Sequence, residues 1–135
     1  MFVIKADVID PMAADFSFEQ QKTMYGGKLI AKGDVIFIFA SENDGGSGLI
    51  ARGMVTSATA IARKADVERQ TPRVSITVER SAIAKRRLGR AELKPFSQWN
   101  DGRPETELNF KFYRQATNKI AGITDEAAAF LQTFF

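Results

Sequence analysis

The chain of 135 residues contains no cysteine and no histidine. Without thiols it has neither a disulfide framework nor a thiolate nucleophile. Without imidazole it lacks the commonest general base near neutral pH and the commonest nitrogen ligand for a metal. The two absences together exclude the usual zinc sites and every Ser-His or Cys-His arrangement, so no metal and no cofactor is expected. Carboxylate, lysine and tyrosine chemistry remains. The nearest paired acids, Glu105 with Glu107 and Asp125 with Glu126, each fall where a helix is expected to begin, and a helix dipole favours acids in its first turn. A catalytic role is therefore not expected. No run approaches ~18 apolar residues, and the opening MFVIKADVID carries acids in place of a long apolar stretch, so neither secretion nor membrane spanning is indicated and the cytoplasm is the expected location.

At this length the chain fits a single domain spanning residues 1–135, large enough to bury roughly two thirds of its unfolded surface. Charge is unevenly spread: residues 1–67 hold seven Lys/Arg against eight Asp/Glu, while residues 68–135 hold twelve against eight. The basic half has a focus between Arg80 and Lys94, where Arg80, Lys85, Arg86, Arg87, Arg90 and Lys94 face the single acid Glu92. Such a cluster attracts phosphate by Coulomb forces and counterion release, and it also suits a solvated basic loop.

Periodicity assigns most of the elements. FVIKADVI alternates Phe2, Ile4, Ala6 and Val8 against Val3, Lys5 and Asp7, the pattern of a strand with one buried face. Pro11 to Tyr25 reads as a loop with a short helix or irregular connection. DVIFIFAS does not alternate, and its Val and Ile content predicts a central strand covered on both faces. ENDGGSG, Glu42 to Gly48, reads as a mobile hairpin tip; a Gly-rich phosphate cradle would precede a helix, and here a strand follows. Residues 62–71 form a polar connection to PRVSITVER, where Val74, Ile76 and Val78 alternate with polar residues. Strands are expected near 2–9, 34–41, 49–60 and 73–81.

Beyond Arg80 the pattern changes. SAIAKRRLGRAELKPF suggests a short helix or an extended arm, and WNDGRP a turn. ETELNFKFYRQATNKI carries both strand alternation and helix start and stop signals, with the balance toward helix. Gln115 to Lys119, QATNK, carries amides and an amine suited either to reading a base or to capping the end of that helix, with the balance toward capping. In ITDEAAAFLQTFF, Thr124 can cap a helix near 125–133 whose Ala127, Phe130, Leu131 and Phe134 share one face.

Gly33-Asp34 before VIFIF, the glycine-rich turn, the returning LIARGMV strand and the later PRVSITVE strand resemble the core of the PUA-like superfamily, and within it the EVE and ASCH branches. The EVE branch opens on a phrase with tryptophan, lysine and serine ahead of a proline; MFVIKADVIDP keeps the lysine of that phrase. The resemblance covers about the central half of the chain. It implies an α+β fold, a small, strongly bent, mostly antiparallel β-barrel with inserted helices, and recognition of RNA or of a modified base in DNA without catalysis. It transfers no base-contacting residue, because the matching positions are structural.

Two groups of residues are candidates for nucleic-acid contact. Lys85, Arg86, Arg87 and Arg90 would grip phosphates. Trp99 with Arg103, Tyr113 and Arg114 would form one concave site, since aromatic faces stack on bases and guanidinium groups pair with phosphate; a tryptophan covering a sheet edge and a tyrosine tethering a loop fit the same residues. The partner expected is thus RNA or DNA. A different class of function, a protein-interaction or homodimeric domain using the apolar C-terminal helix with Phe134 and Phe135, stands beside it.

Overall fold

The computed structural model describes residues 1–66, 70–115 and 117–135. Residues 67–69 of the expected polar connection and residue 116 of the QATNK segment lie outside the described residues. Six strands, β1 (Phe2–Ala6), β2 (Asp15–Met24), β3 (Val35–Ala40), β4 (Gly48–Ala60), β5 (Arg73–Ile83) and β6 (Lys119–Gly122), close into a barrel in the order β1-β3-β4-β5-β2-β6. Four of the neighbouring pairs are antiparallel; β1 with β3 and β2 with β6 are parallel. Closure removes exposed strand edges. Among the described residues, three short α-helices are inserted: α1 (Arg90–Leu93), α2 (Pro104–Leu108), which continues as a π-helical turn through Arg114, and α3 (Asp125–Gln132). Among the described residues no helix is long and apolar enough to cross a membrane.

The VIFIF run explains the layering. In β3 the residues Ile36 and Ile38 point into the barrel, where they meet Ile4, Phe16, Phe18, Val55, Val74, Ile76, Val78 and Ile120. The intervening Phe37 and Phe39 point outward into a second core with Val3, Leu88, Leu93, Leu108, Phe112, Leu131 and Phe134. One strand therefore walls two cores, and both its faces need apolar side chains. Gly33 opens it at φ +94, and the Asp34 carboxylate accepts the Ala31 N–H at 2.8 Å, which fixes the turn that the Gly-Asp pair announced.

The helices obey their local signals. Pro104 stands in the first turn of α2 beside Glu105 and Glu107. The Thr124 hydroxyl accepts the Ala127 N–H at 3.2 Å and so caps α3, with Asp125 and Glu126 in its first turn. Ala128 and Leu131 of α3 and Phe134 just beyond it are buried against the barrel's outer wall, while Phe130 and Phe135 are half-buried.

Two strands differ from the sequence expectation. The segment 15–24, expected as loop or helix, is the ten-residue strand β2. Its alternation runs through Phe16 and Phe18 and then breaks at a β-bulge, because Phe18 pairs with Ile76 while Gln21 pairs with Val74. The extra residue reverses the parity, so Gln21 and Thr23 rather than apolar residues follow on the inner side. The QATNK segment ends in β6 rather than in a helix end, since Lys119 pairs with Lys5 of β1. Strand β1 is also covered on both faces: Lys5, expected to be exposed, is only 1 % accessible beneath the helical segment.

The Gly48 end of the glycine-rich turn packs closely against the 88–89 segment. Gly48 has φ +82, and a Cβ placed there would collide with the Leu88 carbonyl oxygen. Gly48→Ala therefore combines a left-handed backbone with a steric clash and should lower the unfolding free energy by about 1–3 kcal/mol in urea denaturation. An unchanged midpoint would show that the contact with the 88–89 segment does not hold in solution.

Candidate nucleic-acid interface

The strand pairing brings Ala6, Ala40 and Lys119 to one end of the barrel. Here the barrel opens into a polar mouth of about 330 Å³. Ser41 and Asn43 reach it from the β3–β4 connection, Thr117 and Asn118 from the residues before β6, Gln21 and Lys22 from β2, and Arg73 from β5. The bulge is what turns glutamine to this opening. Gln20 sits at φ 49, in the left-handed region that non-glycine residues seldom occupy. Its N–H donates to Ser75 Oγ at 2.9 Å and its carbonyl accepts from Arg73 Nη1 at 2.7 Å. Held in this way, successive glutamines face different cavities: Gln21 the mouth, and Gln20 a larger hollow beside it.

Asn118 has a defined orientation. Its Nδ2 donates to Asp7 Oδ1 at 3.2 Å. An ionised carboxylate only accepts, so the amide must turn its nitrogen to Asp7, leaving Oδ1 as its acceptor end.

Behind the mouth lie two lysines. Lys5 and Lys119 are cross-strand partners on the outer face of β1 and β6, 1 % and 0 % exposed. Lys5 Nζ donates to the Phe112 carbonyl at 2.8 Å, and Lys119 Nζ donates to the carbonyls of Gln115 and Thr117, each at 3.2 Å. The pair thus holds the carbonyl end of the helical segment, the end at which a cation is favoured. Burial, and then the neighbouring Lys5 ammonium, push Lys119 down to about 8.

The residues expected to contact nucleic acid fall into three places. Glu42, next to the mouth-lining Ser41 and Asn43, gathers the first set. Its Oε1 accepts the Arg90 N–H at 2.7 Å and the Tyr113 hydroxyl at 3.1 Å, and its Oε2 lies 3.8 Å from Arg87. Arg90 also stands over the Tyr113 ring at 5.5 Å. Burial and then the Glu42 charge raise the Tyr113 phenol above its usual range, so it remains a neutral donor.

The second set turns away from the mouth. Arg86 Nη2 donates to the Thr133 carbonyl at 2.9 Å at the end of α3 and stacks on Phe134, while the Lys85 N–H donates to the Phe134 carbonyl. The third set is the tryptophan. Trp99, 41 % exposed, meets Phe110 edge-on at 5.5 Å and carries Arg114 at 5.0 Å from its ring. Trp99 and Arg103 line a groove of about 280 Å³ between α2 and the start of α3. Tyr113 does not line that groove, and its partners Glu42, Lys5 and Arg90 are not those of Trp99. The π-helical turn separates the two rings, although they are close in sequence to a common turn. Sequence reasoning reached Asn118 through the QATNK amides but passed over Gln21, Lys22 and Arg73, for which the break in alternation after Phe18 was the available signal.

A closed six-stranded barrel with short inserted helices is a fold that this chain shares with several solved structures. The DUF55 domain of human thymocyte nuclear protein 1 superposes with a TM-score of 0.65 at 14 % identity, over 98 % of this chain and 96 % of that one. The human THYN1 protein in complex with 5-methylcytosine-containing DNA gives 0.64 at 15 % identity, over 98 % and 95 %. A Pseudomonas syringae protein gives 0.60 at 16 % identity, over 99 % of both chains. No family model and no curated protein matches the sequence.

The buried lysine pair gives the fold a measurable pH dependence. Unfolded, Lys119 keeps its proton up to its ordinary 10.5; folded, it releases it near 8. Between these values the unfolded chain binds more protons, so stability should rise with pH from about 8 toward 10. Above 10 the raised Tyr113 phenol acts in the opposite direction. Thermal unfolding of Lys119→Met across pH 7–10 should lack the rise seen in the parent chain. An equal rise in both would mean that Lys119 is solvated.

Proposed function

We propose that this chain is a non-catalytic nucleic-acid-binding module that takes a single base, in RNA or in DNA, into the barrel mouth. The observation that carries the reading is the convergence of Gln21, Asn43 and Asn118 with Lys22 and Arg73 on one opening. A concave site of this size with a few converging polar groups is how small planar ligands are recognised. The similarity of fold to the human THYN1 protein, seen with 5-methylcytosine-containing DNA, makes a modified cytosine the first base to test. Asn118, with its acceptor end free of Asp7, suits the exocyclic amino group that cytosine has and thymine lacks.

On one side of the mouth Arg87 and Arg90 would contact backbone phosphate, with Tyr113 as the neutral wall beneath Arg90, while Lys85, turned away from the mouth, would contribute charge at longer range. Arg86 would contribute charge only, since its guanidinium holds the end of α3. Trp99, with Arg103 and Arg114, would be an accessory stacking surface apart from the mouth. The exposed Arg87 ion pairs with Glu42 and Glu92 do not oppose this, because such pairs are worth about 0–1 kcal/mol and yield readily to phosphate.

The test uses fluorescence anisotropy with nine-nucleotide single strands that differ at one central base: 5-methylcytosine, cytosine or thymine. The 5-methylcytosine or cytosine strand should bind at least several-fold tighter than the thymine strand. Asn118→Ala should weaken that binding about tenfold, the equivalent of one lost hydrogen bond to the base. Equal affinity for all three strands, unaltered by Asn118→Ala, would leave electrostatic binding without base reading.

A further inference from the structure

The larger hollow beside the mouth has a character of its own. It encloses about 680 Å³ at the end of the long β4–β5 hairpin, and it shares Arg73 with the mouth. It is lined by polar and cationic residues, among them Gln20, Arg63, Lys64, Thr71 and Arg73, together with the apolar Ile61 and Pro72. The hairpin end is braced across its width. The Gln70 side chain accepts the Lys64 N–H at 2.9 Å and donates back to the Lys64 carbonyl, imitating a strand partner, and the Ile61 N–H donates to the Arg73 carbonyl at 2.9 Å. Strand β2 adds the bulge in which Gln20 is held left-handed by Ser75 and Arg73.

A left-handed glutamine persists where the surrounding structure over-determines it, and such positions gather at binding sites. This bulge is fixed by the same arginine that lies between the two cavities. Cations beside a braced hollow with apolar lining residues match a phosphodiester and its attached nucleoside. A base in the mouth would place its backbone near Arg73, from which the next nucleotide of the same strand has this hollow as its nearest enclosed surface.

From this arrangement we propose that the β4–β5 hairpin hollow is a second subsite, which binds the phosphate and nucleoside flanking the base held in the mouth. The strand then crosses the mouth from the Arg87–Arg90 side to the hairpin side, with Arg73 as the hinge between subsites. This proposal rests on the mouth reading for its direction and on the hairpin residues for its content.

The experiment compares two probes on the same protein: the free nucleoside 5-methyl-2′-deoxycytidine and a nine-nucleotide single strand with 5-methylcytosine at its centre. The variant is Arg63→Gln with Lys64→Gln, and the control is Lys28→Gln with Lys32→Gln, two exposed lysines on the β2–β3 connection. The hairpin variant should bind the nucleoside as the parent does, bind the strand about tenfold more weakly, and show a salt slope shallower by about 1.4, the value for two phosphate contacts to a single strand. The proposal is overturned if strand affinity and slope change no more than in the control. If the parent binds the strand but not the nucleoside, and the hairpin variant still loses strand affinity and slope, the mouth reading falls and the hairpin subsite stands.

Discussion

Two ammonium groups placed side by side inside the protein constrain the rest of the structure. Lys5 and Lys119 face each other across β1 and β6 under the helical segment, and both donate to carbonyls near its end. Buried charge is costly unless it is hydrogen-bonded, so each lysine requires that segment to stay where it is. The segment in turn carries Phe112 and Leu108 into the outer core, Tyr113 to Glu42, and Thr117 and Asn118 to the barrel mouth. The position of the Asn118 amide is thus coupled to two lysines that do not themselves line the opening. Exclusion of water strengthens the repulsion between the two like charges, and the rings of Phe112 and Tyr113 stand 5.6 Å from Lys119 and 5.5 Å from Lys5. The electron-rich faces offset part of the repulsion.

How much of this was legible in the sequence depends on the distance over which each residue finds its partner. The VIFIF strand was readable as covered on both faces because its own composition demands it, and β5 because Val74, Ile76 and Val78 alternate without interruption. The α3 cap was readable because Thr124 and Ala127 are neighbours in the chain. Strand β2 was not, because one inserted residue inverts its parity and replaces the apolar pattern with glutamines. Lys5 was not either, since the carbonyl it serves belongs to Phe112, 107 residues away. The basic segment was visible as charge, but its division was not: nothing local distinguishes Arg86, which holds the end of α3, from Arg87 and Arg90, which turn toward Glu42. Trp99 and Tyr113 are close enough in sequence to suggest one site, and the helical turn between them decides otherwise.

Glu42 shows how a single acid can organise a basic rim without neutralising it. It gathers a backbone N–H, a phenol and a guanidinium, so most of its hydrogen-bonding capacity goes to neutral donors. The Tyr113 phenol, raised by burial and by Glu42 itself, stays protonated and donates. Consequently the loop that supplies Ser41 and Asn43 to the mouth is fixed in position while Arg90 is left with its guanidinium over an aromatic face rather than in an ion pair. A rim built in this way keeps the positive charge of Arg90 unspent on Glu42.

The barrel interior is not uniform along its axis, and the bulge in β2 marks the boundary. On one side Phe16 and Phe18 stack with ring centroids 5.9 Å apart and continue into a dry core. On the other, Gln21 replaces an apolar residue opposite Val74, and Thr23 finds the Pro72 carbonyl at 2.8 Å. A barrel selected for stability alone would carry the apolar alternation to its end, because each inward glutamine forgoes hydrophobic burial and leaves an amide in need of partners. The sequence instead accepts a left-handed glutamine and a polar mouth at the place where β1, β3 and β6 converge and where cations are carried on the flanking strands. That departure from the stable pattern is local, is held in place by Arg73 and Ser75, and is the strongest physical reason to look for a ligand at this end of the barrel and not at the aromatic patch around Trp99.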